Sequence, residues 1–334
     1  MQVSEEDLTL IHALQIAPRV SWSDAAEILA SHPATLAARW DRLHQAGLAW
    51  VTASPISRRM EMSLSFFDVE CALDRRAAVT AAVCAIPEVV SVTESSRNRD
   101  LILTVQTPSL ADLGKTVAPR LADIAGLTKY QISLCTRLHA EAQSWQLNVL
   151  NRRQRADLEG LRPSSTSEAP ASWPADYWKT VQILARDGRA TAVDIAKQTG
   201  VHPTTASRRL NRILTSNLLS FRCEVAQHYS GYPVCCQWFA NVPAGEHLSA
   251  AEALMTFPNL RLCASTTGTT NLTFVMWLKS VAEILSFELL ITQRIPSIQL
   301  VESTVALNFP KRVGWLLDAE GRSTGDVILP FLPA

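Results

Sequence analysis

The spacing of apolar side chains changes twice along this chain, in the same order each time. In the later stretch, Val181 and Leu184 share one face of a helical pattern from Tyr177 to Ala185, and a second short run covers Ala192 to Gln198. Gly200 then breaks the chain before a third helix, from about Pro203 to Leu214. Glycine suits a left-handed turn, and proline suits a first helical turn because its missing N–H would be unpaired there anyway. Three helices with a tight turn before the last describe a helix-turn-helix, whose third helix can lie in a DNA major groove.

Beyond each helical unit the period shortens. Met62 to Ala72 alternates as a strand, Arg75 to Ile86 is helical, Val89 to Thr93 and Leu101 to Val105 are strands, Ser109 to Ile124 is helical, and Lys129 to Leu138 is a strand. The later half repeats this order: strand Pro233 to Val242, helix His247 to Thr256, strands Leu260 to Thr266 and Leu272 to Leu278, helix Val281 to Arg294, strand Ile298 to Leu307. A βαββαβ order makes a ferredoxin-like layer with both helices on one sheet face, so the fold class is α+β, with two plain or winged helix-turn-helix domains and two ferredoxin-like domains. The other sheet face needs cover. Leu101 and Leu103, or Leu272 and Phe274, are expected to be partly exposed there until the two copies pair.

The halves are a duplication. His32-Pro33-Ala34-Thr35 and His202-Pro203-Thr204-Thr205 lie 170 residues apart, and the same offset matches Leu14 with Leu184, Arg19 with Arg189, Asp24 with Asp194, Arg39 with Arg209 and Arg42 with Arg212. The predicted domains are 1–59 and 176–225 (helix-turn-helix), 60–150 and 226–334 (ferredoxin-like), with a linker over 151–175 whose centre, Pro163 to Pro174, is rich in Pro, Ser and Ala. Ala30 stands where the second copy has Gly200, so the first copy is expected to lose that turn.

Composition narrows the function. The 334 residues, 47% hydrophobic and 19% charged, suit a folded multi-domain chain. Seven cysteines without CxxC spacing read as reduced, buried thiols of a cytoplasmic protein. The acidic start and the charges that interrupt Leu272 to Ile291 predict neither export nor membrane insertion. The seven histidines show no metal-ligand spacing, so no catalytic residue, metal or cofactor is expected.

Net charge is zero, so any nucleic-acid surface must be local. From Asp176 to Arg222 eight bases face three acids. Thr204, Thr205, Ser207, Arg208, Arg209 and Arg212 cluster on one short helix, mixing hydroxyl donors with guanidinium groups that can hold phosphates or guanine edges. The first copy offers Thr35, Arg39 and Arg42, with Ala37 and Ala38 in place of Ser207 and Arg208, and should bind double-stranded DNA less tightly.

These residues resemble the Lrp/AsnC family of transcription regulators, in which a helix-turn-helix precedes a ferredoxin-like ligand domain with a Thr-Gly-x-x-Asp turn between its second and third strands. Thr266-Thr267-Gly268-Thr269-Thr270-Asn271 is similar to that turn with Asn in the Asp place, and Glu94-Ser95-Ser96-Arg97-Asn98-Arg99-Asp100 keeps the acid without the glycine. The resemblance implies pairing through the sheets and an amino acid or related small molecule as effector, near Ser95, Ser96 and Asp100 and the Thr266 to Asn271 turn. It further implies a pseudo-dimer within one chain and association of chains into homo-oligomers. Sirohaem decarboxylases also resemble this family. Their histidine motif near the second strand corresponds here to Val92-Thr93-Glu94 and Cys263-Ala264-Ser265, without a histidine, and only His228 and Tyr229 keep that alternative open.

Overall fold

A computed structural model describes residues 3–55, 62–141, 145–162, 175–216 and 218–329. The centre of the expected linker, 163–174, and Arg58 and Arg59 lie outside these residues. The first half runs α1 (Glu5–Ile16), α2 (Trp22–Ile28), α3 (Pro33–Gln45), β1 (Ala49–Pro55), β2 (Ser63–Cys71), α4 (Arg76–Cys84), β3 (Val89–Ser95), β4 (Leu101–Thr107), α5 (Leu110–Asp112), a π turn Leu113–Val117, α6 (Ala118–Ala122) and β5 (Leu127–Ala140). Helix α7 (Arg152–Gly160) follows. The second half runs α8 (Trp178–Arg186), α9 (Ala192–Thr199), α10 (Pro203–Thr215), β6 (Leu219–Val225), β7 (Val234–Asn241), α11 (His247–Met255), β8 (Leu260–Thr266), β9 (Leu272–Leu278), α12 (Glu283–Arg294), β10 (Gln299–Arg312), β11 (Trp315–Leu317) and β12 (Ser323–Val327).

The chain folds into two compact units that interleave its halves. One takes the described residues of Met1–Met62, Gln146–Ala226 and Arg322–Ala334; the other takes Ser63–Trp145 and Gln227–Gly321.

The first unit holds both helical regions. Side-chain caps explain where its helices begin: Ser4 with Asp7, Ser21 with Asp24 and Thr191 with Asp194 satisfy first-turn amides, and His32 and His202 cap α3 and α10 ahead of a first-turn proline. Gly200 ends α9 at φ 73°. Ala30 holds the equivalent turn at φ 50°, so the first copy keeps the turn that its sequence was expected to lose, at the steric expense of a Cβ in the left-handed region. β1 and β6 pair antiparallel, in a register that puts Thr52 opposite Arg222, themselves 170 positions apart.

Helix α7 occupies 152–160, inside the stretch expected to be a linker. A capping box joins Asn151 to Gln154, and α7 packs on α1 with Leu158 fully buried. The amides of Val149 and Leu150 donate to Nδ1 of His12, itself fully buried.

In the second unit each half makes a four-stranded sheet, β3-β4-β2-β5 and β8-β9-β7-β10. The 14-residue strands β5 and β10 serve both sheets. β5 pairs with β2 as far as Leu134 and then with β8 from Cys135, while β10 pairs with β7 as far as Val305 and then with β3 from Ala306. The sheets therefore join at two seams. Leu101, Leu103, Leu272 and Phe274 are fully buried rather than partly exposed, because they point to the helix side and pack with Val79 and Val83 in one half and with Leu254 and Ile291 in the other.

Candidate nucleic-acid interface and effector turns

Helix α10 presents Thr204, Arg208, Asn211 and Arg212 to solvent, with Thr205 and Ser207 half-buried. Arg209 is drawn back to the Asp176 carboxylate, and the guanidiniums of Arg209 and Arg212 lie 5.7 and 5.9 Å from the Tyr177 ring. The hydroxyl and guanidinium groups at the start and middle of this helix remain available to a ligand. Asn211, which the sequence reading passed over, adds a side-chain amide to that face.

Helix α3 is different. Asp7 is 1% exposed, and its carboxylate accepts from Arg39 at 3.0 Å and from Arg42. Burial pushes the Asp7 carboxyl up, but hydrogen bonds from Arg42, the Ser4 amide and Arg39 outweigh it and hold the group below its ordinary value. Tyr177 occupies the place of Asp7 in the second copy, so in both copies the repeated arginine pair ties helix three to helix one. The exposed positions left on α3 are Ala34, Thr35, Ala38, Asp41, Gln45 and the far side of Arg42. Asp41 opposes a phosphate where Asn211 does not.

Arg19 and Arg189 are spent on each other's surroundings. Arg19 donates to the carbonyls of Gly188 and Ala190, and Arg189 to those of Pro18 and Val20 at 2.8 and 2.9 Å. Burial pulls both guanidiniums down, that of Arg189 to about 10, with the Arg19 charge adding to the shift.

The two turns of the ferredoxin-like domains are equally committed. Asp100 Oδ2 accepts from the Cys71 amide at 2.7 Å, and Asn271 Oδ1 from the Val242 amide at 3.0 Å. Ser96 and Val305 exchange two hydrogen bonds across one seam; Thr267 and Leu134, each 171 positions away, exchange the equivalent two across the other. Ser95 Oγ lies 2.9 Å from Thr304 Oγ1, Thr266 Oγ1 donates to the Thr270 carbonyl, and Gly268 sits at φ 119°. Thr269 is exposed. Beside the first turn, Arg99 spans Asp68 at 3.1 Å and Glu302 at 3.0 Å, over the Phe239 ring at 4.4 Å.

Among the described residues no three His, Cys, Asp or Glu side chains converge as a metal site, and no helix is long and apolar enough to cross a membrane. All seven cysteines are free thiols, six of them buried, and burial raises each; Cys71, Cys84 and Cys135 are pushed to about 11. Two histidines do meet at one point: His139 Nε2 and His247 Nδ1 lie 2.8 and 2.7 Å from Ser265 Oγ. That convergence joins β5, α11 and β8, so spacing in the sequence could not reveal it. His228 instead contacts the Glu320 carbonyl at 3.0 Å.

Residues 64–145 match the Lrp/AsnC ligand binding domain. The chain is similar to the HTH-type transcriptional regulator FL11 of Pyrococcus furiosus, 27% identical over 127 residues, which is 38% of this chain and 82% of that protein. A crystal structure of the sirohaem decarboxylase NirDL with an iron-uroporphyrin III analogue superposes with a TM-score of 0.59 over 93% of both chains at 16% identity, a shared fold across both halves. The structure of Escherichia coli AsnC is 22% identical, covering 41% of this chain and 93% of that one, with a TM-score of 0.38. Residues 64–145 are therefore similar to an Lrp/AsnC ligand binding domain, in a chain whose fold across both halves is shared with NirDL.

Proposed function

We propose that the protein is a DNA-binding transcriptional regulator of the Lrp/AsnC type in which one polypeptide supplies both members of a pseudo-dimer. Helix-turn-helix units at 1–59 and 176–225 are paired with ligand domains at 60–150 and 226–334. The observation that carries the reading is α10, a capped third helix with Thr204, Arg208, Asn211 and Arg212 exposed in a locally basic region. Arg208 and Arg212 are assigned to phosphates or guanine edges, Thr204, Thr205, Ser207 and Asn211 to shorter contacts, and Arg209 to holding the helix. Thr35, Arg39 and Arg42 contribute less. A gel shift with the protein's own upstream region tests this: binding is expected, and Arg208→Ala with Arg212→Ala should abolish it. No shift at low salt would remove the reading.

A small molecule, such as an amino acid, is proposed as effector near the Ser95 to Asp100 and Thr266 to Asn271 turns. A ligand changes DNA affinity only if it binds two arrangements of the paired domains unequally. Because Ser96 and Thr267 bridge the seams, a ligand that displaced their hydrogen bonds would bias that pairing. Calorimetry across amino acids should find heat for at least one, and silence across the set would leave a regulator without effector.

A second reading, an enzyme acting on sirohaem, is favoured by the two imidazoles at Ser265, where the sequence alone offered no histidine. A purified sample that neither takes up the colour of added sirohaem nor alters it would remove this reading.

A further inference from the structure

The two helix-turn-helix units are related by a local twofold axis. Arg19 and Arg189 donate to each other's flanking carbonyls. In the β1–β6 pair Thr52 faces Arg222, its own repeat position; Ala49 faces Val225, the repeat position of Pro55, and Pro55 faces Leu219, that of Ala49. Equal heads related in this way read an inverted repeat, because half-sites mirror the symmetry of the protein.

The heads are not equal. At the offset of 170, exposed positions of the third helices set Ala34 against Thr204, Ala38 against Arg208, Asp41 against Asn211 and Arg42 against Arg212. The first three offer two methyl groups and a carboxylate where α10 offers a hydroxyl, a guanidinium and an amide. At the fourth, Arg42 is held by the buried Asp7 carboxylate, whereas Arg212 lies 5.9 Å from the Tyr177 ring and the nearby Asp176 is taken by Arg209. Among exposed residues Asp41 and Arg42 cancel on α3, while Arg208 and Arg212 leave +2 on α10. Thr35 keeps a hydroxyl near the start of α3, but a hydroxyl pairs with donors and acceptors alike and selects no base.

We infer that the chain reads an asymmetric DNA site: a single half-site specified by α10, flanked on the α3 side by duplex of any sequence. The inference rests on the regulator reading and narrows it to one class of DNA. Arg208 and Asn211, three positions apart on one helix face, match guanine and adenine edges respectively, so the half-site holds both bases close together. Such a site fixes one orientation of the bound chain on the duplex, which a palindrome does not.

Selection of bound duplexes by the full chain tests this, from a pool randomised over about 20 base pairs, room for two half-sites one helical turn apart. The wild type should enrich one non-repeating motif, and Arg208→Ala should erase its guanine preference. Scrambling the motif in a selected site should weaken binding by about a hundredfold or more, and scrambling the α3 flank by less than about threefold. Ala38→Arg with Asp41→Asn, both at exposed positions, should add an inverted copy of the motif on that flank. An inverted repeat enriched by the wild type would overturn the inference and leave the regulator reading standing. A motif unchanged by Arg208→Ala, or an α3 flank still without sequence preference in the Ala38→Arg, Asp41→Asn variant, would also overturn it. Absence of any enriched motif would instead remove the regulator reading itself, and the inference with it.

Discussion

Arg19 and Arg189, 170 positions apart, each donate to the two backbone carbonyls that flank the other. The exchange is reciprocal and buried, and it explains why this arginine recurs in both halves. Arg189→Met should leave the carbonyls of Pro18 and Val20 without their donor, at about 1–3 kcal/mol for each buried group left unsatisfied. Chemical denaturation should show that loss. Arg189→Lys should recover only part of it, because an ammonium cannot fork to both oxygens.

The left-handed residues that precede α3 and α10 should respond in opposite directions. Gly200→Ala meets no atom within 4 Å, so its effect is purely conformational and should destabilise by about 1 kcal/mol. Ala30→Gly relieves the same strain and should stabilise by roughly 0.5 kcal/mol after the added freedom of the unfolded chain is counted. Paired thermal melts of the two variants read the sign.

His12 makes stability depend on pH. Burial is the main cause that lowers its imidazole to about 4, with the Arg155 charge adding to it. The unfolded chain binds the proton first, so the contribution is complete above the ordinary value near 6.5 and is lost as pH falls from there through about 4. The full loss is about 3 kcal/mol. Urea midpoints at pH 7 and pH 5 should fall apart in the wild type and draw together in His12→Gln, which installs the residue found at Gln182 in the second copy.

Arg39 and Arg208 separate packing from recognition. Arg39→Ala removes one partner from the buried Asp7 carboxylate and should lower the melting temperature with little effect on DNA affinity. Arg208→Ala, on an exposed position, should leave the melt in place and weaken DNA binding, with a shallower dependence on salt. Equal effects of both variants on binding would return α3 to the interface.

Much of this was legible from periodicity and turn chemistry. The helix-turn-helix boundaries followed from Gly200 and the two His-Pro starts, and the strands and helices of both ferredoxin-like domains from their alternation. What one-dimensional patterns missed has physical causes. Helix α7 buries little beyond Leu158, so its sequence reads as solvated. The shared spacing of Arg39 and Arg42 with Arg209 and Arg212 looked like a DNA signature, yet in the structure these arginines also tie back to Asp7 on α1 or to Tyr177 just before α8. Asp100 and Asn271 carry an effector motif in form, but each staples its turn to a strand end. The meeting of His139 and His247 at Ser265 depends on β5 crossing to the other half, which no local pattern encodes.

Genome-wide mapping of DNA bound in cells, for the wild type and for Arg208→Ala with Arg212→Ala, tests the central claim most directly. Discrete peaks sharing a sequence motif are predicted for the wild type, and their loss in the variant at unchanged protein level. Absence of enrichment in the wild type, or the same peaks in both, would contradict the regulator account.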